Sequence, residues 1–99
     1  MWGEFMQKVM VIYQVEDYDR WWRFYNDDTA NRKINGSIES FIHRNKEYAN
    51  ELILLYNWDS MENAKKFFES EDVKTKLKDA GVTGEPLVVY LDEVERAIA

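Results

Sequence analysis

Apolar positions along this 99-residue chain change their period several times, and each change marks an element boundary. Lys8 to Val15 (KVMVIYQV) is apolar or β-branched at nearly every position, as in a strand covered on both faces. Asp17 then reads as an N-cap. Tyr18, Trp21, Trp22 and Tyr25 follow the i, i+3, i+4, i+7 spacing of an amphipathic helix, and Phe24 widens the stripe. This helix is expected to fade through Asn26 to Lys33, and Asn35-Gly36 signals a turn. From Ser37 to Arg44 (SIESFIHR) the period becomes two, with Ile38, Ser40 and Ile42 on one side and Glu39, Phe41 and His43 on the other.

A polar connection, Asn45 to Asn50, has hairpin length. Glu51 to Trp58 (ELILLYNW) is again apolar on both faces and predicts a third strand, antiparallel to the second. Asp59 and Glu62 have the capping-box spacing, and Met61, Ala64, Phe67 and Phe68 supply the buried face of a helix. Ser70 can cap a further helical segment carrying Val73, Leu77 and Ala80, stopped by Gly81 in a left-handed conformation. After Gly84 and Pro86 comes a fourth strand, Leu87 to Leu91, and then a charged tail for which a helix is one reading. The domain reads as residues 1–99, with 1–6 as a candidate leader (Met6 being an alternative start) and 92–99 as the tail.

The order β-α-β-β-α-β predicts a ferredoxin-like α+β fold, a four-stranded antiparallel sheet with two helices on one face. Two helices cover only one face, yet three of the strands are apolar on both. The uncovered face is therefore expected to pack against its equivalent in a second copy, giving a homodimer.

Composition narrows the partners. Nineteen acidic against thirteen basic residues give a formal charge of −6, with the basic residues scattered among acids, which argues against nucleic-acid binding. No apolar run approaches the roughly 20 residues of a membrane span. Cysteine is absent, so thiolate nucleophiles, thiolate metal sites and disulfides are excluded, and a reducing cytoplasm suits the chain. Four Trp, six Tyr and five Phe in so short a chain point to a second apolar surface, either an interface or a pocket.

The run from Trp58, WDSMENAKKFFESEDVKTKLKDAGV, resembles the dimeric α/β-barrel superfamily of antibiotic-biosynthesis-monooxygenase-like proteins. There a tryptophan ends the third strand and a W-x-S/D-x-x-x-A-x-x-F/W-x-x-S pattern opens the second helix. The resemblance spans about Lys8 to Leu91 and implies a dimer whose pockets each lie between one subunit's sheet and helices. It implies no single activity, since members include cofactor-independent monooxygenases, polyketide cyclases, haem-degrading enzymes and isomerases. The haem-degrading motif is missing: Phe67 and Leu77 stand where its second tryptophan and its histidine would fall, and Met6 to Glu16 contains no asparagine.

Few side chains remain as candidates for chemistry. His43, the lone histidine, is a candidate proton carrier, against the plainer reading of a solvated residue near a strand end. One histidine without cysteine makes a poor metal site, so no metal and no cofactor is expected. Asn57, an amide among apolar neighbours, must hold a backbone group, water or ligand, and joins His43 as a candidate catalytic group. Tyr13, Trp22, Tyr56 and Trp58 are the candidate ligand-binding residues, and Asn57, Trp58, Tyr13 and Tyr56 are of the residue types with which the resemblance implies that cofactor-independent oxygenases of the superfamily hold a phenolic substrate. Asp27-Asp28 reads as a solvated helix end. The sequence thus predicts a small apolar or aromatic ligand, handled by a monooxygenase or cyclase. The rival reading is a non-catalytic dimeric module with a closed core. A cavity decides between them.

Overall fold

The computed structural model describes residues 7–98. The expected leader at 1–6 lies outside the described residues. The elements are β1 (Gln7–Val15), α1 (Tyr18–Asp27), α2 (Thr29–Ile34), β2 (Ser37–Arg44), β3 (Glu51–Trp58), α3 (Met61–Phe68), α4 (Glu71–Asp79) and β4 (Val82–Leu91). The four strands form one antiparallel sheet in the order β2-β3-β1-β4, with the helices on one face, which is the ferredoxin-like arrangement.

Strand alternation sends one set of side chains to the helices and the other to the open face. Val9, Val11, Tyr13 and Val15 of β1, with Leu52, Leu54, Tyr56 and Trp58 of β3, are buried beneath the helices. Trp21 and Tyr25 of α1, Ala64 and Phe67 of α3 and Val73 of α4 close that core from above. Helices α1, α3 and α4 each start where a side chain takes up an orphan backbone N–H, whereas α2 follows Asp28 with no side-chain cap. Asp17 accepts from Asp19 N, and Ser70 from Val73 N.

Several sequence expectations are corrected. The N-cap of α3 is Ser60, not Asp59: the Ser60 side chain accepts from Asn63 N. Asp59 instead receives the Asn63 amide at 3.1 Å, which leaves Glu62 without its capping-box role. The chain after α1 does not fade but begins the separate helix α2 at Thr29. β4 starts at Val82, five residues early, because its pairing with β1 carries an irregularity between Ile12 and Gln14 that lets the strand pass Gly84 and Pro86. Ile38 does not share the face of Ser40 and Ile42. It falls in a register shift between Ser37 and Glu39 and is 49% exposed. Residues 92–98 form no helix.

Two glycines confirm the turn signals. Gly36 (φ 115°) follows α2, and a Cβ there would sit 2.4 Å from Asp59 Oδ1 and 2.6 Å from Trp58 Nε1. Gly81 (φ 92°) ends α4 as its spacing predicts. Trp58 is fully buried and donates its indole N–H to Asn35 O at 3.0 Å. It ties the end of β3 to the turn before β2.

Candidate functional site

A cavity of about 680 Å³ lies between the sheet and the helices. Volumes of roughly 300–1,000 Å³ are those of small-molecule sites. Val11, Tyr13 and Tyr56 line it from the sheet, Trp21 and Tyr25 from α1, and Leu77 from α4. Aromatic attachment on one side explains the space. Trp21 and Tyr25 stack with centroids 4.8 Å apart and are pulled onto the sheet by hydrogen bonds. The opposing wall at α4 places Val73, Leu77 and the C-cap Ala80 toward the gap, aliphatic side chains too short to fill it, with Lys74 and Lys76 at its margin.

Hydroxyls give the cavity its polarity. Trp21 Nε1–H donates to Tyr13 Oη at 2.9 Å. The Tyr25 hydroxyl lies 3.1 Å from Tyr56 Oη and 3.0 Å from Ser40 Oγ, forming a Tyr56–Tyr25–Ser40 chain. A phenol can accept and donate together, so Tyr13, having accepted the indole proton, keeps its own O–H for a guest. Burial pushes the Tyr13 and Tyr56 hydroxyls well above the usual phenol range. Both stay neutral donors at physiological pH and neither is a base.

Charge is confined to the rim, with one exception. Arg20 Nη2 donates to Asp79 O at 2.8 Å, and Lys76 pairs with Asp28 at 3.0 Å, so two contacts bridge α4 to the α1–α2 segment. The bond to Asp28 is the main reason the Lys76 ammonium titrates above its ordinary range. Asp28 is accordingly an ion-paired joint between α1 and α2 rather than a solvated helix end. The exception is Arg32, buried with 8% of its surface exposed.

The sequence candidates separate by strand face. Tyr13 and Tyr56 line the cavity. Trp58 is behind it, packed on Phe67 at 5.0 Å, and Trp22 stands 40% exposed on the outer side of α1. Neither is among the lining residues. His43 and Asn57 belong to the open face, because His43 pairs with Ile53 and Asn57 with Lys8 and Glu39 in strands whose alternate residues face the cavity. His43 is exposed, its Nδ1 3.3 Å from Ile53 O. Asn57 accepts from Lys8 Nζ at 3.0 Å and donates to Glu39 Oε1 at 2.7 Å, so its polar atoms are satisfied across three strands. The sheet lies between both residues and the cavity. The roles assigned to His43 and Asn57 as groups acting on a bound ligand therefore have no geometric support.

Tyr25 and Arg32 also line the cavity and were not singled out by the sequence. Tyr25 reads as ordinary core. Arg32 is signalled only by its position seven residues after Tyr25, two turns along one helical face that continues from α1 into α2. Among the described residues, no group of three His, Asp or Glu side chains is gathered as a metal ion would require.

The open face is a different surface. Its cross-strand rows run Phe41–Leu55–Met10–Val89 and His43–Ile53–Ile12–Leu87. These apolar rows lie between Glu39–Asn57–Lys8 at one end and Glu51–Gln14–Thr83 at the other. Phe41 and Leu87 are 49% and 55% exposed.

No model of a protein family matches the sequence, and no curated protein matches it. Solved structures match its shape. A protein from Caulobacter crescentus assigned as an antibiotic biosynthesis monooxygenase is 23% identical, with 91% of each chain covered and a TM-score of 0.69. A Streptomyces coelicolor monooxygenase solved with nanaomycin D is 14% identical, with 95% of this chain and 92% of that one covered and a TM-score of 0.62. SnoaB, a cofactor-independent oxygenase from Streptomyces nogalater, is 10% identical, with 89% and 94% covered and a TM-score of 0.64. The fold is thus that of the antibiotic biosynthesis monooxygenase proteins, which the sequence resembles.

Proposed function

We propose that this protein binds a small, largely aromatic molecule in the cavity between sheet and helices and oxidises or cyclises it without a cofactor. The observation that carries the reading is the cavity itself, apolar in its walls and provided with two neutral phenol donors, Tyr13 and Tyr56. Such donors orient a ligand through its carbonyl or phenol oxygens and stabilise negative charge that develops there. In the monooxygenase version dioxygen is the oxidant: a methylene carbon of the ligand becomes a carbonyl, and the second oxygen atom leaves with the two hydrogens as water. A core closed by its own aromatics is disfavoured by the volume of about 680 Å³. The structural neighbours named as monooxygenases, one of them with an organic ligand bound, support the same reading.

The working unit in this proposal is a homodimer in the cytoplasm, joined through the open face. Two rows of partly exposed apolar side chains flanked by polar rows favour such packing. His43 and Asn57 then belong to the interface rather than to the chemistry. Light scattering on a sizing column should return twice the mass of 11.9 kDa at micromolar concentration. A monomer would sink the dimer.

The ligand is tested by native mass spectrometry after mild purification, alongside a Leu77→Trp variant that fills the cavity. A co-purifying small molecule lost in the variant supports the reading. A protein that binds no aromatic probe at millimolar concentration overturns it. Oxygen uptake on adding a phenolic tricyclic ketone then separates oxidation from cyclisation.

A further inference from the structure

Arg32 is an unusual group for an apolar cavity wall. Its guanidinium is always charged, yet only 8% of the residue is exposed. Nη1 donates to Tyr25 O at 2.6 Å and Nη2 to Thr29 Oγ1 at 3.1 Å, and Cζ lies 3.5 Å from the centroid of the Tyr25 ring. All three partners are neutral. Among the described residues no carboxylate comes within 4.0 Å to pair with it. The two acids nearest in sequence do not serve: Asp28 is engaged by Lys76, and Asp27 is exposed.

A buried cation without a counter-charge is strongly unfavourable, and buried charges in folded proteins are paired. Two of the five guanidinium N–H groups are used, which leaves three for a further acceptor. The planar fork matches a carboxylate in two-point geometry. The surroundings agree in sign. Five basic side chains line the cavity against three acidic ones; Arg20, Lys74 and Lys76 are ion-paired to Glu16, Glu71, Asp28 and Asp72, which leaves Arg23 and Arg32, among the described residues, as the lining cations with no ion pair. Unpaired cations at the wall favour an anion there. The field of Arg32 also reaches Tyr13 and Tyr56, where it works against the upward shift that burial imposes.

We propose that the ligand of this cavity carries a carboxylate, which sits on the Arg32 guanidinium while the rest of the molecule lies against Trp21, Tyr25 and the phenols of Tyr13 and Tyr56. The proposal rests on the small-molecule reading above and adds the acidic group to it. Arg32 is then an anion-binding residue, completed by its ligand. Its position also orients the bound molecule, acidic group toward α2.

The test compares two probes of nearly equal size and shape, 2-naphthoate and 2-naphthamide, by isothermal titration calorimetry on the full chain at neutral pH. The acid should bind at least about tenfold more tightly than the amide, and the advantage should shrink as salt is raised. Arg32→Met should abolish the difference between the probes while retaining affinity for the amide, and Arg32→Lys should fall between. Equal affinities in the native protein, or a tighter amide, would overturn the acidic ligand and leave the cavity as a neutral aromatic site. Binding of neither probe would overturn the small-molecule reading along with it. The native pair decides the question even where Arg32→Met fails to fold.

Discussion

The two faces of the sheet are drawn from the same four strands, yet they solve opposite problems. Beneath the helices, Val9, Leu52, Leu54 and Trp58 are all 0% exposed, and the sheet's own polar atoms there include the neutral hydroxyls of Tyr13 and Tyr56, with the one buried charge among the described residues, Arg32, supplied by α2. On the open face Phe41 and Leu87 stay half exposed, and the satisfied polar group is a charged row, Lys8–Asn57–Glu39, set at one end. A neutral donor left unpaired in a buried site costs far less than an unpaired buried charge. Charged groups at the end of an apolar strip instead fix register and discourage wrong partners. On the function proposed above, one face would recognise the small molecule and the other would serve assembly.

The contrast breaks most readily at Trp58. Trp58→Ala should cost about 3–5 kcal/mol in urea denaturation, since it empties a large buried volume and removes the bond to Asn35 O. A loss under about 1 kcal/mol would mean that the helix-covered face is less tightly packed than described. Next, Leu55→Glu places a carboxylate in the central open-face row, beside Met10 and Phe41. Sedimentation should show the proposed dimer halving in mass while far-ultraviolet circular dichroism stays native. Unfolding instead would show that the open face is core.

Alkaline pH sharpens the comparison further. Tyr13 and Tyr56 have folded pKa values raised by burial, so their contribution is complete below the unfolded phenol value of about 10 and is lost as pH rises beyond it. Stability of the native protein should fall more steeply above about pH 10 than that of Tyr56→Phe. Parallel curves would contradict the buried phenol. The smallest effect is expected at His43, exposed at the end of its row: His43→Ala should change stability by no more than about 0.5 kcal/mol and leave probe binding intact. A loss of ligand binding there would place the chemistry on the wrong side of the sheet.

Alternation made β2 legible, while β1 and β3 showed as continuous apolar runs because both of their faces are apolar. Neither pattern could tell which of two adjacent acceptors, Asp59 or Ser60, caps α3, since both suit an N-cap and only backbone direction decides. Asn57 was legible as a buried amide in want of a partner. The identity of the partner was not, because the shift between Ser37 and Glu39 brings Glu39 opposite Asn57 where unbroken alternation would place Ile38. The cavity was least legible of all. Tyr25 and Trp21 look like core in any helical projection, and the space beside them depends on how short the side chains of α4 are. Arg32 fell in a stretch read as fading helix, and a charged residue there passes for solvated until the helix is seen to resume.

The strand order β2-β3-β1-β4 has a consequence for synthesis on the ribosome. β2 and β3 are neighbours in sequence and can pair as soon as both have emerged, and β1 can then add to β3. The outer edge of β1 pairs with β4, the last of the described strands, and gains that partner only when β4 has emerged. For that interval the nascent chain presents an unpaired edge of Val9, Val11 and Ile12, the kind of segment that recruits other strands. Val82 to Leu91 thus acts last as a closing strand, and a chain stalled before it would be prone to aggregate.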